Sequence, residues 1–341
     1  MARQSLSVYH SDKIRVISFL MIVLVFYVHS YYQEAEQFEV AHRLESIIDF
    51  GLSSIAVPMF FCISGFLFFF NIETLKDIIN KQKKRVKTLV VPYFLWNVLV
   101  LLLFVGLKLI PFSARFVNTD VISLLQSHNP ILIANAVFIA PIGFHLWFLR
   151  DLIVFIAVSP VLFFLIKKTS WLFIILLYPL CIRFNMIHGL LFFCLGGIVS
   201  LRYSLDAVDR LLQNKWLLVL ALCFFVFYVV SVSFHFFPHY LKPFAIFSGL
   251  LVTWRLFDIV HCLYNLATKQ IVRFTFFIYC FHEPFFEVIK KGGVMLLGES
   301  DLSYCILYLV NPIIAIIIIY TIGIGFKRFL PTVYRVLTGA R

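Results

Sequence analysis

Charge is what this sequence has least of. Only 13% of its 341 residues are Asp, Glu, Lys or Arg, against about a quarter in a soluble domain. That shortage excludes an ordinary water-soluble globule, because 62% of the chain is hydrophobic and one core cannot hide so much apolar surface. Alternation of polar and apolar residues is nearly absent, which excludes a membrane barrel. The cysteines number seven, an odd count, and none of their spacings is that of a metal site, so they read as small buried hydrophobes and no metal is expected. No small-residue cleavage site follows the first apolar run, Ile14 to Tyr32, so that run reads as a retained helix and not as a removed signal peptide. No low-complexity tract, repeat or soluble segment interrupts the chain, and residues 1–341 read as a single transmembrane domain.

What is present is a series of apolar runs near the bilayer-spanning length of about 20 residues. In lipid a run must satisfy its own backbone hydrogen bonds, so the class is all-α, a polytopic helical bundle. Ten spans are expected, at approximately 14–32, 49–71, 88–110, 145–165, 171–183, 189–202, 216–234, 243–257, 274–295 and 302–326. With the N-terminus inside, 21 of the 29 Lys and Arg residues fall on the inner side, so both ends are expected in the cytoplasm. The formal charge of +12 therefore reads as a topological signal and not as a nucleic-acid surface. The segment Pro111 to Phe144 is the longest connection. It is expected outside and is a candidate for acceptor contact.

Ionisable residues inside these runs are the informative ones. Arg15 and His29 lie fourteen positions apart on the first run, close to four whole turns, so they share a helix face about 21 Å apart along the axis. A snorkelling arginine and an interfacial histidine would give the same pattern. The second run reads Val57-Pro58-Met59-Phe60-Phe61-Cys62-Ile63-Ser64-Gly65-Phe66, in which Pro and Gly permit close helix approach. A basic cluster at Lys83, Lys84, Arg85 and Lys87 precedes Pro92-Tyr93. It suits a coenzyme phosphate or an anionic lipid equally. The fourth run opens with His145-Leu146-Trp147-Phe148-Leu149-Arg150-Asp151, which puts His145 at a depth similar to His29. Arg150 and Asp151 point in different directions on a helix, so each is expected to find a partner elsewhere. The ninth run carries His282, Glu283 and Glu287, with pairing to Arg150 or Lys290 as the structural alternative to a functional role.

Together these segments resemble the acyltransferase 3 family of membrane O-acyltransferases. The resemblance is spread over most of the chain and rests on the first-run Arg and His, Pro58 to Phe66, Lys83 to Tyr93, His145 to Leu149 and Tyr279 to Pro284. The Arg-to-His spacing here is about one helical turn longer than the family's, with Ser18 where the shorter spacing would put the arginine. The resemblance implies transfer of an acyl group, usually acetyl from acetyl-CoA, to a sugar hydroxyl or amine, in a bacterial cytoplasmic membrane. The acceptor is expected to be a glycan or glycolipid. Arg15, Lys84, Arg85 and Lys87 are then the candidates for the coenzyme phosphates. His29 is the first candidate for general base and His145 the second. Ser64, Trp147, Arg150, Asp151, His282 and Glu283 are candidates for substrate contact or support. The alternative is a polytopic exporter without chemistry, against which the missing inverted repeat counts.

Overall fold

The computed structural model describes residues 5–109, 129, 131–132, 135, 139–141, 143–234 and 236–340. Most of Pro111–Phe144, and with it the acceptor-contact expectation, lies outside the described residues. Among them all regular structure is helical. The chain divides into two compact units. One comprises Met1–Lys81 with Phe155–Thr275, and the other comprises Gln82–Val154 with Phe276–Arg341.

The first unit begins with α1 (Val8–His29), capped by the Ser7 hydroxyl on the His10 N–H. A short α2 (Glu39–Ser46) leads through a π turn and a 3-10 turn into α3 (Ala56–Phe69). Downstream lie α7 (Ser159–Thr169), α8 (Trp171–Arg183), α9 (Asn185–Arg202), α10 (Leu205–Leu211), α11 (Lys215–Ser233), α12 (Lys242–Ile259) and α13 (His261–Ala267). Bends of 104° and 85° follow α9 and α12. The centre of this unit is the crossing of α3 and α9. A Cβ on Gly65 would collide with the Phe193 carbonyl oxygen, and one on Gly196 with the Cys62 carbonyl oxygen. Two glycines facing two backbones bring the helix axes as close as they can come. The Gly of the Ser64-Gly65 pair is thus explained by packing. Lys81 Nζ, just before the basic cluster, donates to the Phe68 carbonyl at 2.8 Å and caps the end of α3.

The second unit holds α5 (Val91–Leu109), α15 (Glu283–Leu297), α16 (Asp301–Phe329) and α17 (Pro331–Leu337). The connecting elements α4 (Leu75–Arg85), α6 (Trp147–Ala157) and α14 (Thr275–Phe281) precede them or lie between. In α16 the residues Leu307, Tyr308, Asn311, Ala315 and Ile319 are buried, while Ile306, Val310, Ile313 and Ile317 are exposed. Such a helical stripe of bare isoleucine and valine is costly in water and is what a lipid-facing surface requires. Trp96 Nε1 donates to the Leu337 carbonyl at 2.9 Å, which fastens α17 to α5.

Among the described residues four helices are long and apolar enough to cross a membrane, or up to seven if each bent pair is one span. The chain is therefore a multi-pass membrane protein. Proline explains where expected spans break. Pro160 has no N–H to give the Ile156 carbonyl, which accepts instead from the Ser159 hydroxyl at 2.7 Å, so the fourth run divides at Val158 into α6 and α7. Pro284 does the same to the ninth run. Expected as one helix over 274–295, it is broken at His282 into α14 and α15.

Candidate functional site

The second break builds a buried polar cluster in the second unit. Because residue 284 has no N–H, the Cys280 carbonyl is left without a helical donor, and His145 Nε2 donates to it at 3.0 Å. His145 Nδ1 bonds the Glu283 carboxylate, which also accepts the His145 backbone N–H at 3.2 Å. The Tyr279 hydroxyl donates to the His145 carbonyl. The rings of His145 and His282 are 4.7 Å apart, edge to face. His282 Nδ1 donates to the Tyr279 carbonyl at 2.7 Å. His145 and His282 are both fully or almost fully buried.

The chemistry of His145 follows from its partners. A carbonyl oxygen only accepts, so Nε2 carries a hydrogen. The second nitrogen shares one proton with a carboxylate, as an imidazolium–carboxylate pair or as imidazole with carboxylic acid. In either form both ring nitrogens are engaged within the protein. His145 is thereby a fastener between the start of α6 and the break before α15. Glu283 takes this histidine as a partner, one that the structural alternative of Arg150 or Lys290 did not include. Arg150 and Asp151 pair with each other, at 2.8 Å from Nε to Oδ1, and Arg150 also reaches the Ile139 carbonyl at 2.7 Å. The expectation of separate partners overlooked the length of the arginine side chain, which curls back over its neighbour. Trp147 is half-buried at the start of α6, and the side chain of Glu287 lies outside the described residues.

In the first unit α1 runs unbroken from Arg15 to His29, so both stand on one helix as the spacing required. His29, half-buried at the end of α1, uses Nδ1 to donate to the Val25 carbonyl at 2.9 Å. That assigns the tautomer in which Nε2 is the acceptor nitrogen. Arg15 pairs with Asp12 at 2.6 Å and its side chain is 37% exposed. Ser64 is half-buried on α3. Of the basic cluster, Lys84 and Lys87 are exposed and Arg85 is half-buried, at the end of α4 and in the π turn that follows.

Sequence reasoning missed two features of the first unit. Glu45 is fully buried and accepts the Tyr32 backbone N–H at 3.3 Å, just beyond His29. Lys13 is also fully buried, two residues from Arg15 and so on the opposite side of α1. Its ammonium donates to Asp209 at 2.9 Å and to Asp258 at 2.8 Å, and lies 4.7 Å from the Trp254 ring centre. His10 Nε2 and Trp254 Nε1 also bond Asp209, at 2.8 and 2.7 Å. Burial would raise the Asp209 carboxyl, but hydrogen bonds from Lys13, His10 and Trp254 outweigh it and hold the group below the ordinary carboxylate range.

The family model described as acyltransferase domain matches residues 9–327, from the second residue of α1 to the last turns of α16. The chain belongs to the acyltransferase 3 family. It is a membrane O-acyltransferase, and the match runs through both units. The succinoglycan biosynthesis protein ExoH of Rhizobium meliloti (strain 1021) is 24% identical over 306 residues, covering 85% of this chain and 80% of that protein. No solved structure matches the chain. The acyltransferase 3 match takes in every candidate residue named above, those of α1 and those of the His145 cluster alike.

Proposed function

We propose that this acyltransferase moves an acyl group, acetyl in the simplest case, from cytoplasmic acyl-CoA to a hydroxyl of a cell-envelope polysaccharide or lipid-linked sugar, with His29 as general base. The observation that carries the reading is α1 itself. One unbroken helix bears the basic Arg15 towards its start and, about 21 Å further along, a histidine whose acceptor nitrogen is Nε2. A thioester is already activated, so the enzyme's main task is to deprotonate the acceptor. Nε2 takes the hydroxyl proton as the oxygen attacks the thioester carbonyl. The tetrahedral intermediate then collapses to the ester and expels the coenzyme thiolate, which is protonated by the imidazolium. Lys84, Arg85 and Lys87 supply cations suited to the donor's phosphates. His145, whose ring is spent on Glu283 and Cys280, is assigned to positioning, with Tyr279 and His282 around it. The polysaccharide class follows the succinoglycan biosynthesis for which the relative from Rhizobium meliloti is named.

The same reading sets the chain in a bacterial cytoplasmic membrane with ten spans and both ends inside. Contacts in the first unit support the alternation. The N-terminal residue His10 meets Asp209, and Lys13 meets both Asp209 and Asp258, all from segments expected inside. Arg43 lies 5.9 Å from the Phe234 ring centre, both near segments expected outside.

The test is His29→Ala, with membrane expression verified and transfer from labelled acetyl-CoA to envelope glycan measured. Loss of transfer is expected, by about a hundredfold or more for a general base. Wild-type activity would overturn the assignment. Binding of coenzyme A to the purified protein is expected to weaken when Lys84 and Arg85 are neutralised together.

A further inference from the structure

The first unit contains two neighbouring empty spaces that the acyl-transfer reading does not use. One is a cleft of about 340 Å³ lined almost wholly by apolar side chains, among them Ile14, Met59, Val199, Ala207 and Leu250. The other is a polar cavity of about 780 Å³, lined among others by His10, Glu73, Lys167 and Asp206. Phe66, Tyr203 and Leu205 line both. Each volume falls in the range of about 300–1,000 Å³ typical of ligand sites. The cleft and cavity therefore meet along one wall, apolar on one side and charged on the other.

That division specifies an amphiphile. An apolar cleft of this kind offers water few hydrogen-bond partners, and in a membrane the molecules at hand to fill it are alkyl chains. The polar end carries both signs. Lys167 is exposed, donating to the Glu73 carbonyl at 3.0 Å, while the Asp206 side chain is 73% exposed. Carboxylates at Glu73 and Asp206 beside one lysine oppose a polyanion such as a coenzyme and equally an anionic lipid head. They complement a head that pairs a phosphate with an ammonium.

We propose that the first unit binds one zwitterionic phospholipid of the bilayer, an alkyl chain in the cleft, its phosphate towards Lys167 and its ammonium towards Glu73 and Asp206. The cleft wall includes Ile14 and the cavity wall includes His10, both on α1. The lipid braces the early turns of the helix that bears His29. The proposal requires only that the chain be embedded in a membrane and is independent of the assignment of a base.

The experiment is native mass spectrometry of the full chain purified in mild detergent and offered equal amounts of phosphatidylethanolamine and phosphatidylglycerol. One phosphatidylethanolamine per chain is expected, preferred by about tenfold, which corresponds to about 1.4 kcal/mol. Ala207→Phe fills the cleft and is expected to lower retention at least about tenfold with the melting temperature little changed. Lys167→Glu reverses the charge at the polar end and is expected to weaken retention without altering the cleft, so it decides the question alone if Ala207→Phe does not fold. Equal or stronger retention of phosphatidylglycerol overturns the head-group assignment. Undiminished phosphatidylethanolamine in folded variants overturns the site. Acyl transfer is not measured, so failure here leaves the role of His29 untouched.

Discussion

Lys13 illustrates how a single residue can be misread from its neighbourhood. At the head of a first helix, next to Asp12 and Arg15, a lysine looks like one more topological charge. Its partners are 196 and 245 positions away, and nothing local announces them. Fully buried between two carboxylates, it neutralises charge that His10 and Trp254 at Asp209 and Arg255 at Asp258 offset only in part. Lys13→Met is expected to cost about 3–5 kcal/mol, since breaking a buried pair strands the partner. The double variant Lys13→Met/Asp258→Asn is expected to recover part of that loss, and thermal unfolding in micelles measures both. The pH dependence has a definite sign. The Asp209 carboxyl titrates lower in the folded protein than in the unfolded chain. Its stabilisation is present in full above the unfolded value of about 4 and is lost as pH falls through the lower folded value. Asp209→Asn is therefore expected to be less stable at neutral pH and to show a shallower loss of stability in acid. A variant with the wild-type acid limb would show that the stabilisation lies in other carboxylates.

At the scale of the element, proline decides where helices stop and which carbonyls are left for side chains. Pro160 gives one to Ser159, and Pro284 gives one to His145. Pro284→Ala returns an N–H to position 284, which then competes for the Cys280 carbonyl. The expected result is a longer α14 and an unseated His145 ring. The helix bond replaces the side-chain bond, so stability changes little. The displaced bond is worth about 0.5–3 kcal/mol across the neutral and charged forms of the ring, so transfer is expected to fall about two- to hundredfold. Full activity with a normal melting curve would remove the His145 cluster from the mechanism. Legibility divides along the same line. The shared helix of Arg15 and His29 could be read in advance because both lie on one regular element, where spacing alone fixes the face. The bond from His145 to Cys280 could not, because it joins residues 135 positions apart through a carbonyl that only the broken helix exposes. The orientation of α16 was equally hidden. Its run Ile313-Ile314-Ala315-Ile316-Ile317-Ile318-Ile319 is apolar all round, so packing alone chooses which face meets lipid.

For the whole molecule the open quantity is the number and direction of crossings. Composition requires a membrane, and among the described residues length and apolarity give four to seven crossing helices. The ten-span reading adds short helices such as α8 and relies on the sidedness of Lys and Arg. Its strength is that it makes opposite claims for positions close in sequence. Lys84 must face the cytoplasm, Tyr203 the cytoplasm and Tyr240 the outside, although α11 alone lies as a crossing between Tyr203 and Tyr240. Tyr203 and Tyr240 are both about half exposed, and Lys84 is exposed, so each tolerates a cysteine. In a background freed of its native cysteines, a membrane-impermeant maleimide added to intact cells is expected to label Tyr240→Cys. Lys84→Cys and Tyr203→Cys are expected to react only after the membrane is opened. If Tyr203→Cys and Tyr240→Cys label from the same side, α11 does not cross as a simple span and the alternation fails at that point. If all three positions invert together, the alternation stands and both ends lie outside, which would place the basic cluster out of reach of a cytoplasmic donor.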